Sequence, residues 1–434
     1  MLRIIKKIIL WDRVRFPIIK NTFIYTLWHK INGKIANIIY SNPSKQMFVI
    51  GVTGTDGKTT TCNLIHHLIQ SNIGNCVMVS TTSIKFGSQN TFNDSKMTSL
   101  GVYDLNKLLS QAKEQWFQYA VIEVSSHGLS QSRFEGVSFS CGVLTNISAE
   151  HLDFHKNLTD YAQTKKQLFL NVIKNNLPNK FAVLPKDDEY GRKWMNEIIF
   201  DKQIDYGVTI SSTLKGENIV QELDHTTFDI KYLGKNNPIN FKLPALFNVY
   251  NALAATGVWL LLWLTMEQIV WSLSQFEPVD GRVNIRKHKE ITHIVDFAHT
   301  PAALKSLLTY LQATKWTWKI ITVFGAPWLR DTYKRPEMWA IVWQLSDTII
   351  LTEDDSQSED VFTIIKQVHE GVKRNEWENY FIQPSRATAL ILAQSIAQPG
   401  DCIVYAGKWH ERVLLTNFGK KTWNDLEEIK KLLV

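Results

Sequence analysis

Short apolar runs alternate with longer stretches of helical periodicity through most of the chain. Met47–Val52 has the length and composition of a buried strand, and a glycine-rich turn follows it. The next segment, Lys58–Gln70, places Leu64, Ile65, Leu68 and Ile69 on one side of a helix. Cys76–Ser80, Ala120–Val124 and Cys141–Thr145 repeat the strand signature, with helical candidates between them. That alternation predicts a mostly parallel sheet covered by helices on both faces. Residues 203–243 read as strand-rich and more polar, a β-excursion on the same domain. Helices are predicted near 248–263 and 265–275, and Phe276–Arg282 reads as a linker. A second alternating series follows, with strands near 291–296, 319–324, 347–352 and 401–406. Residues 1–46 read as helical and basic and stop at the breaker Ser41–Lys45. The predicted organisation is a short helical extension (1–46), a central α/β domain (47–277) and a C-terminal Rossmann-like α/β domain (278–434).

Composition narrows the class. With 434 residues, 44% hydrophobic and 21% charged, the chain suffices for two or three folded domains. A net charge of +7 suits anionic small molecules such as nucleotides. No cluster of basic and aromatic residues resembles a nucleic-acid module, so nucleic acid is not an expected partner. The four cysteines, Cys62, Cys76, Cys141 and Cys402, have no metal-ligand spacing and fit buried thiols in a reducing cytoplasm. No apolar run reaches the ~18 residues of a membrane span. The opening MLRIIKKIIL carries Arg3, Lys6 and Lys7 and reads as an ordinary amphipathic helix, without firm membrane association.

Gly51–Thr60, GVTGTDGKTT, stands between a strand and a helix, the context a phosphate-binding loop requires. Glycines let backbone N–H groups approach phosphates, and the helix N-terminus favours negative charge. The candidate nucleotide contacts are Gly54, Thr55, Asp56, Gly57, Lys58, Thr59 and Thr60. Lys58 can reach the β- and γ-phosphates, and the Thr59 hydroxyl can hold Mg²⁺. The glycines fall at 51, 54 and 57, with Val52 where the strict P-loop pattern has glycine.

Further motifs follow in order: EVSSHGLSQSR (Glu123–Arg133), TNISAEHLDFH (Thr145–His155), YAQTKKQLF (Tyr161–Phe169), FNVYN (Phe247–Asn251), DFAHTP (Asp296–Pro301), RDTYKRPEM (Arg330–Met338) and GKWHE (Gly407–Glu411). Together with GTDGKTT, this series resembles the Mur ligases of peptidoglycan synthesis over about residues 47–434. Its form is most like the members that add the third residue of the stem peptide. The resemblance implies an ATP-dependent ligase that joins a (UDP-N-acetyl)muramoyl-peptide carboxylate to an amino acid through an acyl phosphate. It implies ATP and Mg²⁺, with Thr59, Glu123, His151 and a carbamate formed from CO₂ on Lys165 as metal ligands. Spacing from Tyr161 and Leu168 selects Lys165 over Lys166. Asn248, Asn251, Arg282, Asp296 and His299 match nucleotide contacts. Thr98, Ser99, Ser125, Gln131 and Arg133 match the muramoyl-peptide site, and Arg330, Asp354, Asp355, Gly407 and Glu411 the amino-acid site. Lys58, Glu123, His151, Lys165 and Arg282 are the expected catalytic set. The family also implies a monomer and an active site in a cleft between the two α/β domains. Another Mur- or folylpolyglutamate-type amino-acid ligase, or a catalytically silent ATP-binding homologue, are the alternative readings.

The chain departs from the family pattern in four places. Only 46 residues precede the core, where the family has a longer uridine-binding domain. D-N-P-R, whose arginine holds the distal carboxylate of diaminopimelate, is replaced by Asp354–Gln357 (DDSQ), which puts diaminopimelate in doubt. Glu150 replaces the first Asp of D-H-L-D. Finally, Trp263, Trp328, Trp339 and Trp409 stand where the family has glycine, in a chain with 15 tryptophans and 21 glycines. That pattern predicts that several tryptophans stand for glycines written with UGA.

Overall fold

The computed structural model describes residues 23–93, 97–278, 283–314, 318–327, 332–357, 359–370, 379–408, 413–416 and 419–433. The chain divides into two compact units. One holds residues up to Ile147, Thr159–Leu214 and Ala252–Ser272; the other holds Ser148–Leu158, Lys215–Asn251 and the chain from Leu273.

In the first unit, strand β1 (Phe48–Thr53) is buried at all but its first residue. It runs parallel to β5 (Tyr119–Glu123) on one side and β6 (Cys141–Leu144) on the other, with Ile50 opposite both Val121 and Cys141. Beyond β6 lie β7 (Phe181–Pro185) and β8 (Lys202–Gly207), both parallel; beyond β5 lies β2 (Cys76–Val79). β3 (Ser83–Phe86) and β4 (Gln89–Phe92) close that edge as antiparallel strands. The chain therefore departs from β1 in both directions across the sheet, order β8-β7-β6-β1-β5-β2-β3-β4. Its carboxyl end is a topological switch point, where doubly wound sheets bind ligands. The helix Lys58–Asn72 starts there. Val49, Val77, Ala120 and Ile122 pack into one apolar cluster with Leu105, Leu109, Leu168 and Phe169 from helices. A helix at Phe23–Ile39 falls within the predicted helical extension, of which residues 1–22 lie outside the described residues.

The second unit contains β9 (Leu214–Gln221) from its second residue, the antiparallel pair β10 (Thr226–Tyr232) and β11 (Lys235–Phe241), and a six-stranded sheet. The six strands are β12 (Asn284–His288), β13 (Ile291–Asp296), β14 (Ile320–Phe324), β15 (Thr348–Leu351), β16 (Tyr380–Ile382) and β17 (Cys402–Ala406), in the order β12-β13-β17-β14-β15-β16. All neighbours are parallel except the β12–β13 pair. Side chains alternate between two buried faces. Ile294, Ile320, Phe324, Ile349, Leu351 and Val404 face one apolar cluster; Val295, Ile321, Val323, Ile350, Ile403 and Tyr405 face the other. This is why the strands read as continuous apolar runs. Parallel strands bring the ends of β13, β14, β15 and β17 to one edge, so Asp296, Gly325, Asp354 and Gly407 emerge together.

All four cysteines are buried and free, and burial pushes their thiols up. Among the described residues no helix is long and apolar enough to cross a membrane.

Candidate functional site

The phosphate loop is held by the strand beside it. Asn146 Oδ1 accepts from Asp56 N (2.9 Å), and Thr145 Oγ1 donates to Asp56 O (2.6 Å). Thr55 N donates to Asn146 O (2.9 Å). Gly54 lies at φ +150°, and a Cβ there would sit 1.8 Å from Thr145 Oγ1. Gly57, at φ +80°, precedes the helix and turns the loop into it. Lys58 Nζ reaches back across the loop to Thr55 O (2.6 Å). We expect Gly54→Ala to abolish nucleotide binding, measured by titration with ATP. An unaltered affinity would show that this backbone does not cradle the phosphates.

Glu123 ends β5 and is buried. Its carboxylate accepts from Thr59 Oγ1 (3.0 Å), Thr81 N (2.8 Å) and Thr81 Oγ1 (2.9 Å). A carboxylate oxygen and a hydroxyl in contact at the mouth of a phosphate loop are hard donors, and they fit a Mg²⁺ ion. Lys165, on the helix Leu158–Lys174, is 1% exposed. Its Nζ donates to Gly54 O (2.6 Å) and lies 4.3 Å from the centre of the Tyr161 ring. Lys166 turns instead to Glu197 (2.5 Å). The same helix thus sends one lysine to the loop and the next to the surface.

Ser99, Ser125, Gln131 and Arg133 also meet in this unit. Ser99 Oγ lies 2.8 Å from Ser125 Oγ, Arg133 Nη1 donates to Ser99 O (2.6 Å), and Arg133 Nη2 to Gln131 Oε1 (2.5 Å). Thr98 is half-buried beside them in sequence.

His151 belongs to the second unit and has φ +56°. The buried Glu150 stands between two imidazoles, 3.7 Å from His151 Nε2 and 3.6 Å from His299 Nε2. Asp296 accepts from Val283 N and Ala298 N, both at 2.8 Å. Asn251 Nδ2 donates to Asn248 Oδ1 (3.1 Å), and Asn248 Nδ2 to Pro244 O (2.7 Å). Past β15 and β17, fully buried Lys408 pairs with Asp355 and lies 4.0 Å from Asp354. Burial raises the Asp354 carboxyl above the usual range, opposed by Lys408 and Arg386. Gly407 is at φ +99°, and a Cβ there would come within 2.8 Å of Asp354 Oδ2. Arg282, Arg330 and Glu411 lie outside the described residues.

Residues 52–259 match the Mur ligase middle domain, and 281–409 the Mur ligase glutamate ligase domain. A UDP-N-acetylmuramoyl-L-alanyl-D-glutamate–2,6-diaminopimelate ligase of Clostridium acetobutylicum is 34% identical over 88% of this chain and 77% of its own. The chain belongs to the Mur ligase family. A second such ligase, from Fusobacterium nucleatum, is 33% identical over 93% of this chain and 80% of its own. A solved 2,6-diaminopimelate ligase superposes with TM-score 0.63 at 27% identity, covering 94% of this chain and 81% of that one. The folylpolyglutamate synthase of Mycobacterium tuberculosis shares the fold, with TM-score 0.69 at 15% identity over 87% and 92% of the two chains.

Within this Mur ligase, three contributors were not singled out from sequence. Thr81 supplies two of the three hydrogen bonds on the Glu123 carboxylate, Asn146 grips the loop, and Lys408 neutralises the Asp354–Asp355 pair. Lys408 had a signal, since it follows Gly407 directly in a quoted motif. Thr81 had none, because its partner is 42 residues away.

Proposed function

We propose that this Mur ligase forms an amide bond between the carboxylate of a UDP-N-acetylmuramoyl peptide and an amino acid, at the cost of ATP. Mur ligases use ATP and Mg²⁺. A carboxylate does not acylate an amine unaided, because its oxygen is a poor leaving group. A carboxylate oxygen attacks the γ-phosphorus, ADP departs, and an acyl phosphate forms. The neutral amine then attacks the acyl carbon, phosphate leaves, and the amine loses a proton. The Gly54–Thr60 loop, through the backbone N–H groups that Asn146 does not occupy, and the Lys58 ammonium are assigned to the phosphates. Thr59 and Glu123 would hold Mg²⁺, which would supply charge neutralisation at the γ-phosphate. His151 is assigned to the same metal set, and Asn248, Asn251, Arg282, Asp296 and His299 to the nucleotide. Thr98, Ser99, Ser125, Gln131 and Arg133 position the muramoyl peptide. Arg330, Asp354, Asp355, Gly407 and Glu411 position the amine. Residues 47–277 serve as the ATP-binding domain and 278–434 as the amine-adding domain, in a cytoplasmic monomer.

The observation that carries this reading is the buried Lys165 amine against the phosphate loop, beside a strand end carrying Glu123. Kinases with a P-loop have no use for that second lysine. The neutral Lys165 amine and CO₂ would give a carbamate and a proton, replacing a neutral donor with an anionic group that could take Mg²⁺.

Phosphate release from ATP, measured with UDP-muramoyl dipeptide and a panel of amines, tests the proposal. Release is expected only when both substrates are present. ATP binding with no such release under any amine would overturn it in favour of a silent homologue. Gln357 stands where an arginine would clamp a second carboxylate. Wild type should therefore favour lysine over diaminopimelate, and Gln357→Arg should shift that preference about tenfold, or about 1.4 kcal/mol.

A further inference from the structure

Two helix ends carry a residue their backbone does not suit. The helix Val102–Glu114 closes with Gln115 as its cap and Trp116 at φ +65°. Trp116 N donates to Lys113 O (3.0 Å) and Phe117 N to Ala112 O (3.0 Å). The helix Leu246–Leu261 ends the same way: Trp263 is at φ +66°, Trp263 N donates to Leu260 O (3.3 Å) and Leu264 N to Trp259 O (3.3 Å). Both are Schellman closures, in which the residue at the left-handed position is normally glycine. Where the chain closes helices with the same hydrogen bonds elsewhere, it places a small serine at the left-handed position: Ser41 (φ +56°) N donates to Ile38 O (3.1 Å) with Asn42 N to Asn37 O (2.8 Å), and Ser132 (φ +51°) N to Leu129 O (3.0 Å) with Arg133 N to Gly128 O (2.9 Å). A Cβ crowds the backbone in that conformation, and an indole adds bulk without relief. Trp116 and Trp263 are 82% and 79% exposed, so neither ring is used to fill the core. Lys202 Nζ lies 3.8 Å above the Trp263 ring, a surface contact that does not need a left-handed backbone.

We infer that positions 116 and 263 are glycine in the protein its host makes, because the gene's UGA triplets specify glycine. Trp328, Trp339 and Trp409 belong to the same set by their place in the family's glycine motifs. Trp339 is 1% exposed, and its indole N–H has no acceptor among the described residues. Trp194 and Trp259 share that orphaned N–H, so position 339 is assigned by its motif. Positions 328 and 409 lie outside the described residues and are assigned likewise. Trp423 is the internal control. Its Nε1 donates to Asp425 Oδ1 (2.7 Å) from within the core, as a genuine buried tryptophan does. Glycine at 328 and 409 would remove two indoles from the motifs assigned to the amine, a consequence that rests on the proposed ligase reading.

The gene and the native protein decide the matter. UGA is expected at 116, 263, 328, 339 and 409, and UGG at 423. Peptides of protein purified from the host are expected to show glycine masses at the five positions and tryptophan at 423. UGG at 116 and 263, or native peptides carrying tryptophan there, overturns the inference. In recombinant protein, Trp116→Gly and Trp263→Gly are each expected to raise Tm by about 2–4 °C. A lowered Tm in both would sink the argument from helix closure. None of these readouts is ligase activity, so this inference and the ligase reading fail separately.

Discussion

Lys165→Arg should lower amide formation by roughly 10²–10³-fold while the variant remains folded and still binds ATP. Arginine keeps the positive charge and a donor for Gly54 O, the contact Lys165 makes at 2.6 Å. What it loses is a primary amine that CO₂ can convert to a carbamate. Labelling with ¹³C-bicarbonate gives an independent readout: a carbamate carbon resonance in wild type that the variant lacks. Lys166→Ala is the control, since its partner Glu197 lies at the surface and an exposed ion pair contributes about 0–1 kcal/mol. Full activity in Lys165→Arg, or no carbamate signal in the wild type, ends this part of the proposal. The contrast between two adjacent lysines is what makes the test sharp. A helix repeats every 3.6 residues, so neighbours in sequence point about 100° apart. Only one of them is carried to the loop.

That contrast also shows what the sequence makes legible. Lys165 was selectable because its motif spaces it from Tyr161 and Leu168, both buried on the same helix face. Most inner strands were legible for a related reason, although β7 (Phe181–Pro185), equally buried, was not among the expected strands. They are buried on two faces, so their composition is apolar without interruption. The edge strands β3, β4 and β12 were not, because they are short, partly exposed and polar. The two-unit division was also hidden. Residues 148–158 and 215–251 join the second unit although they precede the predicted linker, and nothing local in those residues records which unit they pack with. Side-chain partners across strands, such as Thr81 on Glu123, need the sheet order before they can be named.

The second large effect lies away from the phosphate loop. Asp425→Ala should destabilise the second unit by about 3–5 kcal/mol, because it leaves a buried guanidinium without its carboxylate. Arg386 and Asp425 are both fully buried. Arg386 Nε donates to Asp425 Oδ1 (2.8 Å) and Nη2 to Oδ2 (2.5 Å). Burial alone would pull the Arg386 pKa down; the charge and hydrogen bonds of Asp425 outweigh it and hold it above its usual value. A fall in Tm on the order of 10 °C is the expected measurement. The same guanidinium has a second task. Its Nη1 donates to Glu353 O (3.3 Å) and its Nη2 to Ala406 O (3.0 Å), one residue before Asp354 and Gly407 respectively. Arg386 therefore ties together the two strand ends that present the assigned amine motif. Replacing the pair by Arg386→Met with Asp425→Leu separates the two tasks. An apolar pair of similar volume recovers much of the stability, since a buried ion pair rarely beats good packing. It does not restore a donor to Glu353 O or Ala406 O. The double variant should therefore regain Tm yet show a raised KM for the amine with little change in the KM for ATP. A double variant with the wild-type amine KM would mean that Arg386 serves the fold alone.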